Sequence, residues 1–187
     1  MLQRVLDYSH ELLEGSVLSG ETVVDGTAGN GHDTLFLSKL VGQNGRVLSF
    51  DIQEQAIENT NDLLVQNHVE NVTLIQDSHA DLPWYIPEGV EEIGGAIFNL
   101  GYLPGSDKSI VTEPQSTVDA VKHLLTRMKK NGLIVLVVYH GHEGGAEERD
   151  EVLKYVSKLD QKQYRVLRYG FINQANNPPF ILAIENK

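Results

Sequence analysis

Short runs of branched and aromatic apolar residues alternate along the chain with longer segments in which apolar side chains recur every three or four positions. The runs fall at Thr22 to Asp25, Arg46 to Asp51, Val72 to Ile75, Ala96 to Leu100, Leu133 to Tyr139, Tyr164 to Tyr169 and Phe180 to Ile184, and they read as seven strands. The clearest helical periods cover Asp33 to Leu40, Gln53 to Gln66, Pro114 to Lys130 and Ala146 to Leu159. Asn131-Gly132 after Lys129-Lys130 reads as the end of the third of these, with cations in the last turn and glycine at the stop. Strand and helix alternation of this kind predicts a parallel sheet covered on both faces. Only the Asn- and Pro-containing loop Gly170 to Pro179 separates the last two strands, so they form a hairpin and the last strand runs antiparallel. With no internal repeat, low-complexity segment or linker, residues 1–187 are expected to form a single α/β domain.

Composition narrows the chemistry. The chain has no cysteine, which excludes disulfides, cysteine-ligated zinc, iron–sulfur clusters and thiolate nucleophiles. A C5 pyrimidine methylation through a covalent cysteine adduct is therefore closed to this chain acting alone, as is radical chemistry on a cysteine-held cluster. No apolar run approaches the roughly 20 residues of a membrane span, and Met1 to Leu13 mixes charges with leucines at helical spacing, unlike a secretory signal. A cytoplasmic location without membrane contact is the expectation. The net charge of −11 is unequally spread: Met1 to Asp107 holds 3 basic and 17 acidic residues, Lys108 to Lys187 holds 12 basic and 9 acidic. Lys122, Arg127, Lys129, Lys130, Lys154, Lys158, Lys162, Arg165 and Arg168 are candidates for a small basic patch or for ordinary solvated helix faces.

The segment Val23-Val24-Asp25-Gly26-Thr27-Ala28-Gly29-Asn30-Gly31-His32-Asp33-Thr34 joins the first strand to the first of the four helical periods. Its glycines permit a tight turn and close ligand approach, and the helix start offers unpaired N–H donors. The spacing is G-x-x-G-x-G, which departs from the dinucleotide G-x-G-x-x-G and disfavours a nicotinamide oxidoreductase. A carboxylate at the strand end, Asp25, suits the ammonium group of S-adenosylmethionine (SAM) better than a pyrophosphate. Asp51 lies 20 residues beyond Gly31, where a carboxylate can accept both ribose hydroxyls, although an N-cap is its alternative role. Candidate cofactor contacts are thus Asp25, Thr27, Gly29, Asn30, Gly31, Asp33 and Thr34 in the loop, Asp51 and Gln53 after the second strand, and Asp77, Ser78 and His79 after the third. Seven strands with a terminal hairpin and this pocket match a Rossmann-like class I SAM-dependent methyltransferase.

The fourth strand runs into Asn99-Leu100-Gly101-Tyr102-Leu103-Pro104-Gly105. This resembles the Asn-Pro-Pro-Tyr motif of amino-methyltransferases, in which an Asn side chain and a backbone carbonyl accept hydrogen bonds from a target nitrogen while an aromatic ring stacks on the base. Tyr139-His140-Gly141-His142-Glu143-Gly144-Gly145 follows the fifth strand at the same sheet edge. Its histidines lack the helical spacing of zinc enzymes, so a substrate role for Tyr139, His140 and His142, including removal of a proton from an amine, is preferred to a metal site. Asn176-Asn177-Pro178-Pro179 in the terminal hairpin is expected near the same edge.

Taken together, the Val24 to Leu35, Phe98 to Gly105, Tyr139 to Gly145 and Asn176 to Pro179 motifs resemble the small bacterial rRNA methylase family, whose better understood members are MnmM-type tRNA methyltransferases. The resemblance implies SAM-dependent methylation of the aminomethyl group of 5-aminomethyl-2-thiouridine at the tRNA wobble position, with Asn99, Tyr102, Tyr139, His140 and His142 around the reacting nitrogen. An rRNA or small-molecule N-methyltransferase is the alternative. Gly26 stands where the family pattern leads one to expect alanine, a difference expected to matter little. Because the chain is acidic and has no appended RNA-binding domain, a homodimer contacting the tRNA anticodon region is expected.

Overall fold

The computed structural model describes residues 1–101 and 114–187. Seven strands form one sheet: β1 Thr22–Asp25, β2 Arg46–Phe50, β3 Val72–Ile75, β4 Ile93–Leu100, β5 Met128–Val138, β6 Tyr164–Tyr169 and β7 Phe180–Asn186. Their spatial order is β3-β2-β1-β4-β5-β7-β6, parallel except that β7 runs antiparallel to both β5 and β6. This is the expected class I methyltransferase sheet. The order reverses beside β1, so the carboxyl ends of β1 and β4 diverge into a crevice, the place where open α/β sheets bind ligands.

The helices are α1 Val5–Glu14, α2 His32–Val41, α3 Glu54–Gln66, α4 Pro114–Leu125 and α5 Gly145–Val156, with a 3-10 turn at His79–Trp84. Alternate residues of the central strands supply two cores. Phe98, Leu136 and Leu182 face α4 and α5, whereas Ile97, Val135 and Ile181 face α1 and α2. Strands buried on both faces explain why their sequences read as continuous apolar runs.

The structure moves the boundary between α4 and β5. α4 ends at Leu125, and Met128 to Lys130 already belong to β5. Ile93 pairs with Met128 but Gly95 with Leu133, so β5 carries a bulge, in which Asn131 adopts φ 61°. Asn is among the side chains that enter this conformation readily. Lys129 is consequently no helix-end cation: its Nζ lies 2.6 Å from Glu21 Oε1 and 2.7 Å from the Ser16 carbonyl. Other members of the basic patch are also paired, Lys122 with Asp119, Lys154 with Glu151 and Arg165 with Glu185. These pairs lie on helix and strand faces, and Lys122, Lys154 and Lys158 line one pocket between α4 and α5 together with Glu151.

Candidate active site

The glycine loop closes over the end of β1 through its backbone. Gly26 N–H donates to the Ile97 carbonyl and Ala28 N–H to the Phe50 carbonyl, which ties the loop to β4 and β2. Gly29 (φ 55°) and Gly31 (φ 83°) take left-handed conformations that admit glycine most easily. Gly31 also lets the loop approach α3, since a Cβ there would meet the Thr60 backbone at 3.0 Å. The α2 N-terminus begins immediately after it.

Behind this loop lies Asp25, fully buried. One carboxylate oxygen accepts from Thr27 N–H (3.0 Å), the other from Thr34 Oγ1 (2.6 Å), and Thr34 Oγ1 lies 2.8 Å from Ser49 Oγ. Asp25 and Thr34 therefore brace the loop from inside and do not line the crevice, a correction to their expected contact with the cofactor. Burial and the charges of Asp33 and Asp51 push the Asp25 pKa up to about 7 against the opposing hydrogen bonds.

Asp51 does reach the loop. Its two oxygens accept from Gly29 N–H and Gln53 N–H, each at 3.0 Å. A carboxylate has about four lone-pair sites, so half its accepting capacity is left for a ligand hydroxyl. The cap of α3 is Gln53, not Asp51. Asn30 is held by Asn59 of α3 at 3.0 Å.

Beyond β3, Asp77 accepts from Tyr85 OH (2.6 Å) and Ser78 N–H (2.7 Å), and these bonds hold its pKa below the usual carboxylate range. Ser78 caps the 3-10 turn through Ala80 N–H. His79 is buried: Nδ1 donates to the Gly26 carbonyl at 2.8 Å, and Nε2 faces the hydroxyls of Ser116 and Thr117 at 3.3 and 3.5 Å. Burial lowers its pKa, so it sits neutral as a strut between the loop and α4, and not at an adenine edge as expected.

Asn99 is the next-to-last residue of β4, at the other side of the crevice. Its N–H donates to Thr27 Oγ1 at 2.7 Å, and its side-chain Nδ2 donates to Asp33 Oδ2 at 2.6 Å. The other Asp33 oxygen lies 2.6 Å from His10 Nε2. Tyr139 is half-buried next to β4, its N–H on the Leu100 carbonyl, and burial together with the charge of Asp33 raises its pKa. His142 packs near Gly101 and Gly145, and burial and His140 hold its pKa below the ordinary imidazole value. The His140 ring is 5.7 Å from Phe180 at the start of β7. Asn176 and Asn177, both with positive φ, carry the hairpin against Gly141, as expected for a loop at this edge. Tyr102 lies outside the described residues.

Two features escaped the sequence reading. His10 belongs to α1, and nothing in its local pattern marks it as part of a site assembled from α2 and β4. Gly26 is also less replaceable than expected: a Cβ there would lie 2.1 Å from Phe98 Cε1, so a glycine must accompany the phenylalanine at 98.

The ensemble fits SAM on its own chemistry. The acidic side chains of Asp33 and Asp51 flank the loop closely enough to raise the pKa of the buried Asp25, an acidic surrounding suited to a cationic ligand. The half-buried Gly29 and Asn30 of the loop and the residual acceptor capacity on Asp51 suit a nucleoside.

The family model described as "Putative rRNA methylase" matches residues 47–185. The chain belongs to that family. A protein of Clostridium thermocellum, described in the same words, is 42% identical with a TM-score of 0.96, each chain being covered completely. A "putative methyltransferase" from Streptococcus mutans in complex with SAH is 40% identical with a TM-score of 0.92, also over both whole chains. The chloroplastic tRNA (mnm(5)s(2)U34)-methyltransferase of Arabidopsis thaliana is 35% identical over 99% of this chain and 70% of that protein. The chain is a SAM-dependent methyltransferase.

Proposed function

We propose that the enzyme methylates the aminomethyl nitrogen of 5-aminomethyl-2-thiouridine at the tRNA wobble position, giving the methylaminomethyl nucleoside. The observation that carries this reading is Asn99, an amide at the end of β4 whose backbone is bonded to the glycine loop, placing a hydrogen-bonding group for a nitrogen nucleophile beside the cofactor crevice. The wobble substrate is supported by the Arabidopsis relative, which aligns over nearly the whole chain.

Bound SAM supplies an electrophilic methyl group on its sulfonium. The Gly29 to Gly31 backbone and Asp51 hold the cofactor, with Asp51 accepting the ribose hydroxyls. Asn99 Oδ1 accepts an N–H of the substrate amine and so directs its lone pair, an orientation effect that can be worth orders of magnitude in rate. An alkylammonium must first lose a proton. His142, held neutral by its surroundings, and the adjacent His140 are the acceptors within the β5 loop. Tyr102 and Tyr139 stack on the base, which is accessible because the wobble nucleotide lies in a single-stranded loop. The whole chain acts as one catalytic domain. Because the chain carries a net charge of −11, a homodimer provides the tRNA surface, and Val166 and Leu167, exposed on the edge strand β6, support such an association. The reaction is assigned to the cytoplasm as part of this reading; among the described residues no helix is long and apolar enough to cross a membrane.

The test is to incubate purified enzyme and SAM with tRNA bearing the unmethylated aminomethyl nucleoside, in EDTA, and to analyse the nucleosides by mass spectrometry. A gain of one methyl group on that nucleoside is expected. Methylation of ribosomal RNA alone would overturn the substrate assignment.

A further inference from the structure

We infer that His10 and Asp33 form a positioning dyad that decides which end of the Asn99 amide faces the reacting nitrogen. The inference rests on Asn99 being the acceptor of that nitrogen's N–H. An Asn side chain presents an oxygen and an NH2 of nearly the same shape, and only its partners distinguish the two ends. Asp33 supplies the distinction. An ionised carboxylate only accepts, so the Asn99 nitrogen must face Asp33 Oδ2, 2.6 Å away, and the oxygen points elsewhere. Turning the amide by 180° would oppose two acceptors across that distance. Asn99 N–H is meanwhile anchored on Thr27 Oγ1 at 2.7 Å, which fixes the root of the side chain.

His10 completes the arrangement from a separate element. Its Nε2 lies 2.6 Å from Asp33 Oδ1, and because that oxygen accepts, the imidazole presents Nε2–H to it. The ring is itself held flat against Phe36, 3.8 Å between centroids and 4° between planes. Asp33 and Phe36 lie three residues apart on α2, one helical turn, so a single face of α2 receives both the ring and its hydrogen bond. The dyad is partly shielded, with Asp33 at 14% and His10 at 32% side-chain exposure. Charge-assisted bonds of this kind are short and directional. Asp33 thus acts on the substrate through Asn99, and His10 acts through Asp33.

The test uses the full chain and compares Asp33→Asn, His10→Phe and His10→Gln. Asp33→Asn keeps the shape but lets the Asn99 amide pair in either orientation. His10→Phe keeps the stack on Phe36 and removes the donor, while His10→Gln restores a donor. For Asp33→Asn and His10→Phe, kcat on aminomethyl tRNA should fall about 10- to 100-fold, the scale of a misoriented group. The tRNA KM should stay within about threefold in both variants, the calorimetric Kd for SAM should stay within about threefold in His10→Phe, and His10→Gln should recover most of the loss. Side-chain amide NMR of 15N-asparagine protein gives a readout independent of turnover. One Asn99 amide proton should be shifted downfield and protected from exchange in the wild type, and this signature should vanish in Asp33→Asn. A wild-type spectrum without it, or unchanged kcat in Asp33→Asn, overturns the dyad. If the wild type does not methylate that tRNA, the substrate reading fails while the NMR comparison still decides the dyad.

Discussion

Gly26→Ala is a one-carbon change with a large expected cost. The new methyl would lie 2.1 Å from Phe98 Cε1 and 2.2 Å from Cδ1, whereas carbon atoms in contact sit about 3.5 to 4.0 Å apart. Ring or backbone must therefore yield by about 1.5 Å. Neither can do so freely. Phe98 is fully buried and meets the His79 ring edge-on at 5.3 Å. Gly26 is bonded on one side to the Ile97 carbonyl and on the other to His79 Nδ1. Overpacking a rigid core typically costs about 1 to 3 kcal/mol, and with both partners fixed the upper half of that range is expected. At about 2 to 4 °C per kcal/mol for a domain of this size, Tm should drop by about 4 to 12 °C. Urea denaturation of Gly26→Ala, Phe98→Val and the double variant isolates the clash, because valine lacks the ring atoms that the methyl meets. In the valine background the alanine should cost less than about 1 kcal/mol, giving a coupling of at least about 1 kcal/mol. Equal costs in the two backgrounds would refute the steric account.

Asp25 predicts a pH effect. Its pKa rises from 3.8 to about 7 on folding, so the folded state holds the proton more tightly. The associated stability is present below about pH 4 and is lost as pH climbs to about 7, at about 1.4 kcal/mol per unit. Asp25→Asn should therefore gain on the wild type between pH 5 and pH 8 in urea melts, and a pH-independent difference would show that Asp25 is ionised throughout. Asp51→Ala should weaken SAM binding by about 1 to 3 kcal/mol in calorimetry, the scale of a lost polar partner; unchanged affinity would remove Asp51 from the site. His79→Phe should lower stability through the freed Gly26 carbonyl, yet a proportional loss of SAM affinity at temperatures where the variant is folded would restore His79 to the cofactor site.

The central strands were legible because they are buried on both faces, so their apolar runs stand out whatever their neighbours. Glycine spacing and the carboxylate at 51 located the crevice for a related reason: backbone turns and strand-end acids leave local marks. What escaped detection depended on distance in sequence. The Pro114 to Lys130 periodicity runs on past the real helix end because Met128, the first residue of β5, falls at a helical interval from Leu124 and Leu125. Asp25 and Thr34 look like ligand contacts, but the loop folds back and encloses them, and only the three-dimensional path shows which side of the loop a carboxylate faces. His10 is remote from Asp33 by 23 positions and from Asn99 by 89, so no window joins them.

The position of β7 has a consequence for how the chain matures on the ribosome. It follows every other strand in sequence, yet in space it separates β5 from β6. Until Phe180 to Asn186 has emerged, the Leu133 to Val138 stretch of β5 has no neighbour along one side and presents a long hydrophobic edge, the kind that recruits other chains. A ribosome stalled before Phe180 would therefore display a chain that has its cofactor loop but lacks the strand that joins β6 to the rest of the sheet.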